Sequence, residues 1–162
     1  LAHRPAHVGL DRTLELLLSG AIDDVETATR LAVAESALTE DIVDGGRGCD
    51  HMTGGRGRDV FVYKSTEDSP GAGFTCDFVT DFVHLRDKIN LTAIDSKTNT
   101  LGNNSFFFKG TQAFSAEGQV RVFQSGSSTI VEINTTGATG AEMTIQLDKI
   151  EAPSLSLADF FF

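Results

Sequence analysis

The sequence predicts a mainly β fold: a short parallel β-roll joined to a β-sandwich, with a small N-terminal helical segment as cap. Three observations predict it. Two nine-residue units stand back to back over 45–62, GGRGCDHMT and GGRGRDVFV. After Val62 helical spacing gives way to short alternating segments set between Gly, Asn and Ser. Before Asp41 the apolar residues instead recur at helical spacing. The division drawn from these is 1–40 for the helical cap and 41–162 for roll and sandwich.

Along the chain, residues 1–9 look irregular. Asp11 is placed to cap a short helix through Leu14 and Leu16–Leu18 that stops at Gly20. Asp23 or Asp24 caps a second, whose apolar residues are Val25, Ala28, Leu31, Ala32 and Leu38. A stack of repeats needs a polar-faced end, so this hairpin is expected to cover the open end of the roll. Beyond the repeats, strands are expected at Val60–Tyr63, Phe78–Phe82, Lys88–Leu91, Ser105–Lys109, Gln119–Gln124, Thr129–Asn134, Glu142–Leu147 and near Asp159–Phe162. Ser-Gly-Ser-Ser between two of them reads as a hairpin turn.

Both repeat units fit G-G-x-G-x-D-x-U-x, where U is Met52 and then Phe61. This is the calcium-binding repeat of a parallel β-roll, one loop and one short strand per unit. Two copies in register are far more specific than a lone Gly-rich loop. Glycines let the loop turn and leave its carbonyls uncovered. Aspartate adds the hard oxygen that Ca2+ prefers. Successive turns of a roll alternate between two edges, so a site joins one turn to the next but one. On that rule one site lies between 36–44 and 54–62, with Asp41, Asp59 and the loop Gly54, Gly55, Arg56 and Gly57. The other lies between 45–53 and 63–71, with Asp50, Asp68 and the loop Gly45, Gly46, Arg47 and Gly48. An exposed helix-end carboxylate is an equal reading for Asp41.

Composition narrows the function. The net charge is −10, with 23 acidic and 13 basic residues among 162. Nucleic-acid binding needs clustered Lys and Arg, and is excluded on that ground. No apolar run approaches the ~18 residues of a transmembrane segment. The chain opens on Leu1 and is read as a piece of a longer protein. Cys49 and Cys76 lack metal-ligand spacing and are expected as two unpaired thiols. There is no HExxH, no G-x-S-x-G and no P-loop, so no catalysis is expected of this chain.

From Asp44 to Phe162 the chain resembles the C-terminal domain of serralysin-type secreted metalloproteases. The segments that carry the resemblance are GGRGRDVFVYKSTEDS, DFVTDF, RDKINLTAID, NSFFFKGTQAF, the hairpin and LSLADFFF. The resemblance implies an RTX calcium-binding β-roll with a C-terminal signal for type I (ABC transporter) secretion, acidic and then apolar, here Asp159, Phe160, Phe161 and Phe162. Asp77, Asp81 and Asp87 match the family's pattern, and for Asp77 and Asp81 a structural role is favoured over calcium binding. Leu85 stands where the family usually has Gly, and Asn90 replaces its last Asp. The function expected is a secreted, extracellular module that folds on calcium after export. The alternative is a polysaccharide-binding or surface-adhesion module, although the single tyrosine, Tyr63, leaves few rings to stack on sugars.

Overall fold

The computed structural model describes residues 40–71, 77–137 and 140–162. The expected helical cap lies outside the described residues, apart from Glu40, and so does Cys76. Ten strands follow: β1 (Ile42–Val43), β2 (His51–Met52), β3 (Val60–Val62), β4 (Asp77–Val79), β5 (Lys88–Asn90), β6 (Phe107–Phe108), β7 (Gln119–Ser125), β8 (Ser128–Asn134), β9 (Met143–Asp148) and β10 (Phe160–Phe161). They form two sheets, ordered β1-β3-β5-β10 and β2-β4-β9-β8-β7-β6.

The first three strands fall where the nine-residue repeat puts them. Each repeat is too short to pair with its neighbour, so the chain crosses to the opposite sheet at every loop. Ile42 therefore pairs in parallel with Val60, two repeats on. The period then breaks. His51 pairs with Phe78, and Val60 with Lys88. The segment 63–71 is not the next rung on β2. It turns at Lys64–Asp68, and Pro70 bridges Met143 in antiparallel fashion.

The roll and the sandwich are joined through a shared sheet. One roll sheet simply continues: β4 pairs in parallel with β9, and β9, β8 and β7 form an antiparallel meander. The β7–β8 hairpin closes at Ser125↔Ser128, leaving Gly126 and Ser127 as a two-residue turn, with Gly126 at φ +60. That left-handed value suits a turn whose twist matches the strands.

Side chains alternate as the pleat requires. Phe61, Ile89 and Phe160 point inward from one sheet; Met52, Val79, Val120, Val122, Val131, Ile133, Ile145 and Leu147 point inward from the other. Together they make one core. Tyr63 is buried in it, so the chain's only tyrosine is not available to a surface ligand. Burial of this kind gives about 1.5–3 kcal/mol per large side chain, which is what holds so many two- and three-residue strands.

Candidate metal sites

Each roll strand begins at or directly after an aspartate: Asp41 before β1, Asp50 before β2, Asp59 before β3, Asp77 at the start of β4 and Asp87 before β5. Parallel pairing stacks these carboxylates in two columns. Asp41, Asp59 and Asp87 follow one edge, where Val60 N–H donates to the Asp41 carbonyl and Lys88 N–H to that of Asp59, both at 2.8 Å. Asp50 and Asp77 follow the other, where Phe78 N–H donates to the Asp50 carbonyl at 2.8 Å.

The two glycine loops repeat the same backbone. Gly46 and Gly55 have φ +81 and +94; Gly48 and Gly57 have +122 and +126. Gly54 answers a different demand. A Cβ there would lie 2.6 Å from Asp59 Oδ2, because the carboxylate folds back into its own loop. Gly45 is similar, with a Cβ 3.1 Å from Asp50 Oδ2. Both loops thus form cradles that hold a carboxylate against uncovered backbone.

Four oxygens of these carboxylates and of the neighbouring Asp77 are buried without a hydrogen bond: both of Asp59, Oδ2 of Asp50 and Oδ2 of Asp77. A buried unpaired carboxylate is costly, and its ionised form is disfavoured. Burial, then the charge of Asp87, pushes the Asp59 carboxyl up to about 6. Burial also raises Asp77 to about 6, against the Asp50 N–H that donates to it and with the charges of Asp50 and Asp68 adding to it. Burial first, and the nearby Asp77, Asp68 and Asp50 next, raise the Tyr63 hydroxyl well above its ordinary value. A hard divalent cation is the group that such oxygens fit.

Other acidic residues are already satisfied and act as pins. Asp81 accepts from Gly54 N–H at 2.9 Å and Gly55 N–H at 2.8 Å, which locks the second loop. Asp87 accepts from Asp59 N–H at 3.2 Å and Val83 N–H at 2.7 Å. Asp68 accepts from Lys64 and Ser65 N–H at 2.7 and 3.1 Å, closing its own turn. That turn lies on the first loop through Lys64 Nζ to Asp44 Oδ2, 2.5 Å, and through the Arg47–Glu67 ion pair. The Lys64 hydrogen bond holds the Asp44 carboxyl below its ordinary value.

Asp41 and Asp59 are therefore brought into one column, as expected from the period. Asp50 is brought next to Asp77 in register, while Asp68 approaches from the side. Sequence reasoning weighed Asp77 as structural; its Oδ1 does accept from Asp50 N–H at 2.9 Å, while its buried Oδ2 makes no hydrogen bond of ordinary geometry and has the buried Tyr63 hydroxyl as its polar neighbour. The signal that could have found it is the recurrent Asp directly ahead of an apolar strand. Arg56 and Arg47 belong to the loops by position, and the Arg47 side chain is paired with Glu67. Among the described residues no group of three or more His, Cys, Asp and Glu is poised to hold an ion by side chains alone, so backbone carbonyls must complete any site. Cys49 is disulfide-bonded, which corrects the expectation of unpaired thiols.

At the C-terminus, Asp159 is fully buried. His84 Nδ1 lies 2.9 Å from each of its oxygens, Leu85 N–H donates to Oδ1 at 2.7 Å and Ser156 N–H to Oδ2 at 2.8 Å. Phe160 pairs with Ile89 and Phe161 with Asn90, in β10. Phe162 stacks on Phe160 at 5.4 Å.

Residues 13–160 match the family described as Peptidase M10 serralysin C terminal. Among solved structures, the chain is similar to the solution structure of the AlgE6R3 subunit of the Azotobacter vinelandii mannuronan C5-epimerase, at 26% identity and TM-score 0.52 over 78% of this chain and 65% of that one. It thus spans less than two thirds of that neighbour's length. The AlgE6R2 subunit of the same enzyme gives 27% identity and TM-score 0.53, over 76% of this chain and 71% of that one. No curated protein matches. Family, fold and neighbours agree on an RTX-type β-roll module of the calcium-binding kind. The chain belongs to the Peptidase M10 serralysin C-terminal family.

Proposed function

We propose that this chain is the calcium-dependent folding and export module of a type I secreted protein. The observation that carries the first half is the set of buried, partnerless oxygens on Asp59, Asp50 and Asp77, held in register across neighbouring turns. Ca2+ would supply the positive charge that lets these carboxylates stay ionised while buried. The loops 45–48 and 54–57 contribute carbonyls, Asp59 with Asp41 serves one edge, and Asp50 with Asp77 serves the other. Asp81 and Asp87 keep the loops in place.

A ligand that binds only the folded chain adds about 2.7 kcal/mol per site at 100 times its dissociation constant. Extracellular modules bind calcium at about 10⁻⁴–10⁻³ M, well above cytosolic levels. The chain would then stay loose before export and tighten outside. Titrating calcium into chelated protein is expected to raise its melting temperature; an unchanged melt would count against the reading.

The export half rests on the family, whose members are C-terminal parts of secreted proteins, and on the tail Asp159, Phe160, Phe161 and Phe162. Replacing these four residues by serine is expected to stop export by cells carrying an ABC-type exporter. Export at the unaltered level would remove this half and leave the calcium half standing.

A second reading is polysaccharide binding. The His51 and Phe78 rings lie 5.2 Å apart and tilted on neighbouring strands of the longer sheet, and the neighbours belong to an enzyme named for mannuronan. A net charge of −10 disfavours an anionic polymer as ligand. Retention on an immobilised glycan, lost on His51→Ala with Phe78→Ala, would favour this reading.

A further inference from the structure

Tyr63 stands directly after β3, and its N–H donates to the Asn90 carbonyl at 3.0 Å, so its main chain extends the first sheet. Asp77 opens β4 in the second sheet. The Tyr63 side chain spans the core between them. It is 2% exposed, and its hydroxyl is buried with no hydrogen bond of ordinary geometry. Beyond burial itself, the groups that act on that hydroxyl are Asp77, then Asp68 and Asp50. Asp77 Oδ2 is equally buried and unbonded, whereas Asp77 Oδ1 accepts from Asp50 N–H at 2.9 Å. Phenylalanine would fill this core position without burying a polar atom, and the chain has 12 of them against one tyrosine. A hydroxyl left buried and unbonded is unfavourable, so an oxygen here points to a task that a bare ring cannot perform.

We propose that Tyr63 is a positioning residue of the Asp50–Asp77 calcium site: its hydroxyl donates to Asp77 Oδ2 when the cation is bound and fixes the direction in which that oxygen is presented. The proposal rests on the calcium reading of this edge.

A carboxylate oxygen has two lone pairs, so Oδ2 can accept from the phenol with one and face a cation with the other. The phenol is neutral and donates without adding to the negative charge already gathered at Asp50, Asp68 and Asp77. The Asp50 amide holds one oxygen of Asp77 and the phenol would hold the other, so the carboxylate cannot turn away from the ion. Without the hydroxyl, Asp77 pivots about its single remaining hydrogen bond, and part of the cation's binding energy goes into orienting it. The ring is carried by the opposite sheet, which ties this edge of the roll to both layers. The chain's single tyrosine can serve one edge alone, so the two candidate sites respond differently to its loss.

The test uses the whole chain. Calcium is titrated by calorimetry into the unaltered protein, Tyr63→Phe and Asp77→Asn; the last identifies the class of site that belongs to this edge. Tyr63→Phe is expected to lose about tenfold in affinity at that class and to keep the other class unchanged. Ultraviolet resonance Raman scattering gives a second readout on the unaltered chain, where one tyrosine and no tryptophan leave the phenol's ring doublet unobscured. That doublet reports whether a phenol donates or accepts, which a ring that merely fills space would not move. In saturating calcium it should be that of a strong donor. Equal affinity for Tyr63→Phe and the unaltered chain at this class overturns the positioning role and leaves the calcium reading intact. Equal losses at both classes overturn it too, as general destabilisation. A doublet of an unbonded or accepting phenol overturns it as well, and does so without a variant should Tyr63→Phe fail to fold. Absence of calcium binding by the unaltered chain overturns both readings.

Discussion

Asp59 and Asp87 stand in register on adjacent parallel strands, and Asp59 N–H donates to Asp87 Oδ1 at 3.2 Å. Asp87 spends both oxygens on backbone donors, whereas Asp59 spends neither. One carboxylate therefore builds the edge, and the other is left for a ligand. The same split recurs between Asp81, which holds two loop amides, and Asp77, whose Oδ2 receives no backbone donor.

This split predicts opposite behaviour on mutation. Asp81→Ala removes the acceptor of Gly54 and Gly55 and is expected to cost about 1–3 kcal/mol with or without calcium. Asp59→Ala removes a buried unpaired charge. In chelator its melting temperature should equal or exceed that of the unaltered chain, while its gain on adding calcium shrinks. Paired thermal melts check both.

The pH dependence follows from the raised carboxyls. Burial raises the Asp59 and Asp77 carboxyls to about 6 in the folded chain against an ordinary 3.8. Between those values the folded chain binds more protons than the unfolded one, so stability falls as pH rises. Calcium-free protein is expected to melt higher at pH 5 than at pH 7.5. In saturating calcium the order should reverse, because protons compete for the same oxygens. Melts at the two pH values, with chelator and with calcium, read the sign directly.

Gly54 is required for space rather than for backbone freedom. Gly54→Ala drives a methyl against Asp59 Oδ2 at 2.6 Å. A cost of about 1–3 kcal/mol is expected, together with weaker calcium binding. Gly140→Ala, where an added Cβ meets nothing within 4 Å, should be close to neutral. Chemical denaturation of the two variants provides the comparison.

Leu85 is at φ +64, a left-handed conformation that strains a branched side chain, and it is 60% exposed. Its N–H is committed to Asp159, which fixes the conformation. Leu85→Gly is expected to stabilise the chain by about 1 kcal/mol. A lower denaturation midpoint would show that the strain is relieved elsewhere.

The repeats made the roll legible. The loop 45–48, the loop 54–57 and the two-repeat step from Ile42 to Val60 all follow from the nine-residue period. Alternation located the hairpin of Gln119–Ser125 and Ser128–Asn134 almost to the residue. The pairing of β4 with β9 was not legible, because no local pattern encodes which distant strand extends a sheet. The exchange of Asp68 for Asp77 beside Asp50 has a local cause: the degenerate unit after Val62 lacks loop glycines and turns on its own carboxylate. The disulfide at Cys49 escaped because cysteine spacing alone does not reveal pairing.

Crystals grown in millimolar CaCl2 and measured for anomalous scattering test the central claim most directly. Peaks are expected beside Asp59 in the loop of Gly54–Gly57, and between Asp50 and Asp77, each ringed by backbone carbonyls. Carboxylates at these positions that are protonated and hydrogen-bonded to protein or water, with no anomalous peak, would contradict it.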